Sequence, residues 1–370
     1  MKYIDEYRED RTIRKLIHKI SEGLKHYNNE IVLMEICGTH TMSIFRSGLQ
    51  RLFPAEISLL SGPGCPVCVT PNAYLDKAIA YSKLQDTIIV TFGDIFRVPG
   101  SSSSLEKENA KDSDIRIVYS PLDAVKTAEK NPDKNIIFLA VGFETTAPLI
   151  ALSIRIAKRR NLKNYSVFCG HKLIPPAIKG LIQDKEINID GFILPGHVST
   201  IIGTQPYQFI SNDHHIPSVV TGFEPLDIVQ GVYILISQIV NHETPKVQIQ
   251  YTRSVKEKGN SKALDLIKEV FQATNAQWRG LQSIHKSGLK IRKTYRQFDA
   301  EEKIEVEVEE TKENNNCICG DILRGIKNPL NCKLFRTICS PENPIGACMV
   351  SSEGTCAAYY KYADIGRDDE

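Results

Sequence analysis

Apolar residues in the first 225 positions gather into short, continuous, β-branched runs. These are Ile31–Ile36, Glu56–Leu60, Thr87–Phe92, Ile115–Tyr119, Ile136–Val141, Tyr165–Phe168, Gly191–Leu194 and Ser218–Thr221. A run without polar alternation is the pattern of a strand buried on both faces. Segments with helical spacing separate them, among them Asn72–Leu84, Thr145–Arg159 and Leu226–Val240. Strands alternating with helices predict parallel sheets of an α/β protein. A short echo favours two similar α/β domains over one large sheet: Val141–Glu144 and Thr221–Glu224 both close a strand with Gly-Phe-Glu and then open a helix.

Beyond Gln277 the pattern changes. Lys303–Glu310 alternates apolar and acidic residues, which predicts an exposed antiparallel or edge strand. Thr311–Asn316 is polar and loop-like, and the remainder is rich in cysteine, glycine, proline and asparagine. A segment so poor in core residues is expected to fold around a metal. The expected organisation is therefore an α/β domain over residues 1–130, a second over 131–276 and a small lobe over 277–370. Segments are free to cross between the domains.

Composition narrows the function. The chain has 370 residues, 42% hydrophobic and 24% charged, with a net charge of +2 and no long basic stripe, so nucleic acid is a poor partner. Met1–Ile17 mixes acidic and basic residues and lacks the apolar core of a signal peptide. Val232–Val240, the most apolar stretch, is far shorter than the ~20 residues that span a bilayer. A cytoplasmic protein without a membrane segment is expected. Ten cysteines in a reducing compartment point to metal or redox chemistry rather than structural disulfides. Cys37, Cys65 and Cys68 lie early, six lie at or beyond residue 317, and Cys169 stands alone.

Polar residues collect where the strands should end. The clusters are Cys37-Gly-Thr-His40, Gly62-Pro-Gly-Cys-Pro-Val-Cys68, Gly93-Asp94, Glu144-Thr-Thr146 and Gly196-His197. Parallel sheets bind ligands at these carboxyl ends, so a shared cleft is expected. Turn and cap chemistry explains the glycines and Thr145, but not two cysteine motifs and two histidines. Cys65-x-x-Cys68 suits a disulfide or a shared metal, in a loop stiffened by Pro63, Pro66 and Pro71. Cys37 with His40 suits a nucleophile and its base, or one ligand of a metal completed by that loop. Asp94, Arg97, Glu144 and His197 are weaker candidates, and Cys169 reads as a buried inert thiol.

The spacing of the late cysteines is uncommon. Cys319, Cys332, Cys339 and Cys356 leave 12, 6 and 16 residues between them, which matches neither a zinc ribbon nor a ferredoxin run. A four-cysteine metal site is expected, with iron–sulfur and zinc both open. No phosphate loop is present, and Gly62-Pro-Gly64 fails the dinucleotide fingerprint because Val67 occupies its third glycine position.

Taken together, these motifs resemble the HypD family of hydrogenase-maturation proteins. The resemblance rests on Met34–Phe45, Gly62–Pro71, Phe92–Gly100, Gly142–Pro148, Pro195–Gly203, Gly222–Asp227 and Gly346–Tyr362, in family order and over nearly the whole chain. One departure is Met42, where many members carry a second histidine.

The resemblance implies two similar α/β domains and a small C-terminal lobe holding a [4Fe–4S] cluster on Cys319, Cys332, Cys339 and Cys356, with Cys317 and Cys348 outside it. It implies a scaffold, rather than a turnover enzyme, on which iron receives cyanide and carbon monoxide for [NiFe] hydrogenase. A HypC-type chaperone and a HypE-type cyanide donor would be its partners. Cys37 and Cys68 would lead as iron ligands, with Cys65 the redox partner of Cys68. His40 would orient Cys37 or donate to a cyanide nitrogen, and Glu144 and His197 would line the cleft. Two other readings compete: a cluster-dependent thiol–disulfide oxidoreductase acting on a protein, and a zinc-stabilised binding module.

Overall fold

Each of the eight apolar runs forms a strand in the computed structural model, which describes residues 5–363. They are β1 (Ile31–Glu35), β2 (Ile57–Ser61), β3 (Thr87–Thr91), β4 (Asp114–Ile117), β5 (Asn135–Ala140), β6 (Tyr165–Cys169), β7 (Gly191–Pro195) and β8 (Ser218–Thr221). Three more follow: β9 (Val247–Ile249), β10 (Phe271–Trp278) and β11 (Gln282–Ile291).

The strands make two parallel sheets and a hairpin. One sheet has the order β2-β1-β7-β8-β9, the other β4-β3-β5-β6, and β10 pairs antiparallel with β11. Numbered within its own sheet, the first reads 2-1-3-4-5 and the second 2-1-3-4. Both are wound in the same sense, and both reverse strand order beside their first strand, at β1/β7 and at β3/β5. Crevices at such reversals are the ligand sites of open α/β sheets.

The chain lays down β1 and β2, crosses to the second sheet for β3 to β6, and returns for β7 to β9. Residue 130 consequently falls between β4 and β5 of one sheet, so a cut there does not separate the two. Sheet membership follows hydrogen-bond pairing, which a linear reading of the chain does not reveal.

Burial on both faces accounts for the apolar runs. Along β5, Ile137 and Leu139 join a core shared by both sheets, whereas Ile136, Phe138 and Ala140 face helices Pro121–Lys130 and Ala147–Arg159. Along β7, Phe192 and Leu194 enter the shared core, while Ile193 packs toward helices Asp10–Leu24 and Pro225–Val240. The carboxyl ends of the two sheets meet through this core.

One expectation about the later chain is corrected. Lys303–Glu310 is not a strand: Lys303 closes the short helix Ala300–Lys303, and residues 304–310 have no regular structure. Those positions stay mostly exposed, and no neighbouring strand pairs with them. The actual strands, β10 and β11, lie earlier. Among the described residues, no helix is long and apolar enough to cross a membrane.

Candidate functional site

The first sheet delivers Cys37. Strand β1 ends at Glu35, and Cys37 then caps the amino end of helix Gly38–Arg46 in an extended conformation. The Cys37 carbonyl accepts from the His40 N–H (2.8 Å) and the Thr41 N–H (3.1 Å). The Gly62–Cys68 loop, which follows β2, lies directly against this turn. Gly62 N–H donates to Glu35 O (2.8 Å), and Gly38 N–H donates to Gly64 O (3.0 Å). Gly64 is required here by proximity, because a Cβ on it would run into the Cys37 backbone.

Cys65 and Cys68 are joined as a disulfide, with their Cα atoms 5.2 Å apart. The Cys68 N–H donates to Cys65 Sγ (3.1 Å), and Ser351 Oγ lies 3.3 Å from the same sulfur. All three N-terminal cysteines are buried. The fold thus unites the two early cysteine motifs that the sequence places 28 residues apart, from Cys37 to Cys65.

Two carboxylates that sequence reasoning missed flank Cys37. Glu35, buried, accepts from the Cys37 N–H (2.8 Å) and from the Thr41 hydroxyl. Glu353, from the C-terminal lobe, accepts from the Thr39 hydroxyl (2.7 Å). Burial pushes Cys37 up to about 12, helped by the negative charges of Glu353 and Glu35. Burial likewise raises Glu35 to about 8, against the hydrogen bonds it accepts. The closed site therefore holds Cys37 as a protonated thiol, and a cation taken up there must displace that proton.

His40 is wholly buried and does not contact Cys37 through its ring nitrogens. Its Nε2 lies 2.9 Å from Gly222 O and 2.9 Å from Thr221 Oγ1, while Nδ1 has no partner. Donation to the Gly222 carbonyl assigns the proton to Nε2. Burial lowers its pKa to about 4, so it is neutral at physiological pH. Phe223 stacks between His40 (centroids 4.8 Å apart) and His197 (3.9 Å), which is exposed on helix Gly196–Ile202.

Glu144 arrives from the second sheet, just beyond β5. Its Oε1 accepts from the Ile174 N–H (3.0 Å), Oε2 is unpartnered, and burial raises the carboxyl to about 7. Tyr207, fully buried, shares the core between the sheets with Cys65, Val141 and Phe143. Asp94 lies close enough to raise the Glu353 pKa, and Arg97 Nη2 donates to Pro341 O (3.0 Å) in the C-terminal lobe. Asp94 also lines a cavity of about 550 Å³ at the second sheet's strand reversal, with Pro66 and Val67 in its wall. Cys169 is half-buried, 3.1 Å from Leu289 O and 3.4 Å from His171 Nδ1, and pushed up to about 12 by burial.

The late cysteines form a separate site. Cys317, Cys319, Cys332, Cys339, Cys348 and Cys356 all line one apolar cavity, with Leu334, Phe335 and Met349 among its other walls. Cys317 and Cys348, expected outside the metal site, share this wall, and Cys319 Sγ is 3.1 Å from Cys348 Sγ. Among the described residues, no three His, Cys, Asp or Glu side chains converge on a single metal ion. A cubane cluster asks for something different: four separated thiolates, one per iron, in an apolar setting. Six cysteines among apolar walls supply donors of that kind.

Fold and site together define a two-sheet α/β protein with a buried thiol and a disulfide loop at the carboxyl end of one sheet, and a separate cysteine-lined cavity. Comparison with known proteins adds the family. The sequence profile of HypD, described as "Hydrogenase formation hypA family", matches residues 11–363. The chain is 44% identical to hydrogenase maturation factor HypD2 of Bradyrhizobium diazoefficiens, over 98% of this chain and 97% of that protein. It is 45% identical to HypD of Azotobacter vinelandii (98% and 97%) and 41% identical to HypD of Escherichia coli (98% and 98%). The chain belongs to the HypD family of hydrogenase maturation factors.

Proposed function

We propose that this protein is a cytoplasmic scaffold on which the iron fragment of [NiFe] hydrogenase acquires cyanide and carbon monoxide. The observation that carries the reading is the packing of the Gly62–Cys68 loop against Cys37. It sets the Cys37 turn against the loop that carries Cys65 and Cys68 at the carboxyl end of the first sheet, and soft thiolates suit low-valent iron as cargo.

In this reading Cys37 and Cys68 hold the iron, and Cys68 becomes free to do so when the Cys65–Cys68 disulfide takes up two electrons, supplied singly from the C-terminal lobe, and two protons, its S–S bond breaking to give two thiols. Neutral His40, anchored by Gly222, keeps the amino end of the Cys37 helix in place. Glu144 and His197 line the approach. A HypC-type chaperone docks around Cys37 and the Gly62–Cys68 loop, and a HypE-type partner brings cyanide. The protein supplies sites and electrons' access rather than conventional turnover.

Cys319, Cys332, Cys339 and Cys356 would hold the [4Fe–4S] cluster, which supplies one-electron reducing power when bound. A second ligand set has one observation in its favour. Cys317 lines the same cavity as Cys332, Cys339 and Cys356, so it can stand in for Cys319 as the fourth thiolate.

The disulfide between Cys65 and Cys68 also favours a second function, thiol–disulfide exchange on a protein substrate. Infrared spectroscopy of the anaerobic complex with the HypC-type chaperone separates the two. The scaffold predicts bands of iron-bound cyanide and carbon monoxide. A silent spectrum, with dithiol exchange intact, would select the oxidoreductase.

A further inference from the structure

One wall of the C-terminal cysteine cavity is a single folded-back segment, residues 332–339. Phe335 N–H donates to Cys332 O (3.0 Å), Cys339 N–H to Leu334 O (2.9 Å) and Arg336 N–H to Cys339 O (3.2 Å). Cys332, Leu334, Phe335 and Cys339 line the cavity. The residues between them, Lys333, Arg336, Thr337 and Ile338, are exposed. One layer of chain therefore carries cavity cysteines and solvent-facing side chains together.

That outward surface is apolar and basic. Ile338, next to Cys339, is 56% exposed, and Leu330, two residues before Cys332, is 50% exposed. Large apolar side chains left in water near one another mark an interaction site. From Ile322 to Pro341 the chain carries four basic residues and no acidic one. Arg324 pairs with Asp184 and Lys327 with Asp321. Arg336 Nη2 donates to Tyr360 O (2.9 Å) at the carboxyl end of helix Thr355–Tyr362. Among the described residues, no carboxylate pairs with Lys333 or Arg336.

From this geometry we infer that the face of Leu330, Lys333, Arg336 and Ile338 docks a small acidic one-electron carrier protein, which reduces the C-terminal lobe from outside. The inference rests on the reading that the cavity holds an iron–sulfur cluster. Such a cluster takes one electron at a time, so a one-electron carrier matches it where a two-electron hydride donor does not. An exposed apolar centre with uncompensated positive charge suits the small, electrostatically steered encounters of redox partners. In each of two encounters the carrier is oxidised by one electron and the cluster reduced by one. Ser351 of the same lobe touches Cys65 Sγ at 3.3 Å, so the lobe also reaches the acceptor. There the two electrons break the Cys65–Cys68 S–S bond, and two protons complete the thiols.

The test uses the full chain, loaded anaerobically with iron and sulfide, and a prereduced plant-type [2Fe–2S] ferredoxin as the acidic probe donor. Stopped-flow absorption follows cluster reduction at low ionic strength. The variants are Lys333→Glu and Ile338→Ser on the face, and Lys19→Glu, which repeats the charge change on the exposed side of helix Asp10–Leu24. Reduction by ferredoxin is expected to slow about tenfold or more in Lys333→Glu and to narrow that gap as salt is added. Ile338→Ser is expected to slow it severalfold while its reduction by dithionite, a small donor that needs no docking face, stays unchanged. Lys19→Glu is expected to match the unmodified chain. Equal ferredoxin rates in the unmodified chain and both face variants would overturn the inference, as would an equal loss in Lys19→Glu. An unmodified chain that dithionite reduces and ferredoxin does not would overturn it too. If Lys333→Glu does not hold the cluster, a ferredoxin rate in the unmodified chain that is indifferent to salt overturns it just as directly. A chain without iron–sulfur absorption after loading would instead sink the cluster reading, and the inference with it.

Discussion

Glu144 shows what burial does at one residue. Its carboxyl is raised from the ordinary 4.5 to about 7 because one oxygen is buried without a partner. Between those values the folded protein binds more protons than the unfolded chain, so this group makes stability fall as pH rises through the window, then level off above it. The full effect is about 3 kcal/mol. Glu144→Gln keeps an acceptor for the Ile174 N–H and removes the charge. It is expected to match the unmodified chain in urea unfolding at pH 5 and to exceed its stability at pH 8. Equal stability at both pH values would show that the carboxylate is solvated. The late cysteines provide a second residue-scale prediction. Alanine at Cys332, Cys339 or Cys356 should remove the iron–sulfur absorption under either ligand set. Loss with Cys319→Ala but not Cys317→Ala selects the set with Cys319; the opposite result selects Cys317. Loss of absorption in none of the five would exclude a thiolate-held cluster.

At the scale of elements, the turn after β1 and the loop after β2 act as one unit. Gly64 is the contact point, since any Cβ there meets the Cys37 backbone. Gly64→Ala is expected to cost about 1–3 kcal/mol of stability through overpacking. It should also abolish hydrogenase maturation while leaving the iron–sulfur absorption of the C-terminal lobe intact, because that cavity lies elsewhere in the chain. Retained maturation would mean that the Cys37–loop contact is dispensable. The elements themselves were largely legible in the sequence. Continuous runs such as Ile136–Val141 announce two buried faces, and the structure buries both. Hairpin β10–β11 was not legible, because its residues are mostly exposed and mixed in polarity, from Gln272 to Lys290. Lys303–Glu310 misled for another reason: Ile304 and Val306 do pack against the shared core, but no neighbouring strand pairs with their backbone.

At the scale of the whole molecule, two sheets wound alike bring their carboxyl ends to one core, and a cysteine lobe closes over the first of them. Motif chemistry pointed to Cys37, His40, Cys65, Cys68, Glu144 and His197, since each sits just past an apolar run. Glu353 and Ser351 were invisible at that stage, because only tertiary contact carries them to the site. Glu35 had a local signal, an acidic residue interrupting an apolar strand two positions before a cysteine. The His40 ring also departs from expectation, bonding to Gly222 and Thr221 rather than serving Cys37 directly. The central claim is that Cys37 holds iron which carries cyanide and carbon monoxide. The most direct measurement is the infrared spectrum of the anaerobic complex between Cys37→Ala and the HypC-type chaperone, with the visible spectrum recorded alongside. The cyanide and carbon monoxide bands are expected to disappear while the iron–sulfur absorption remains. Bands of undiminished intensity in Cys37→Ala would contradict it.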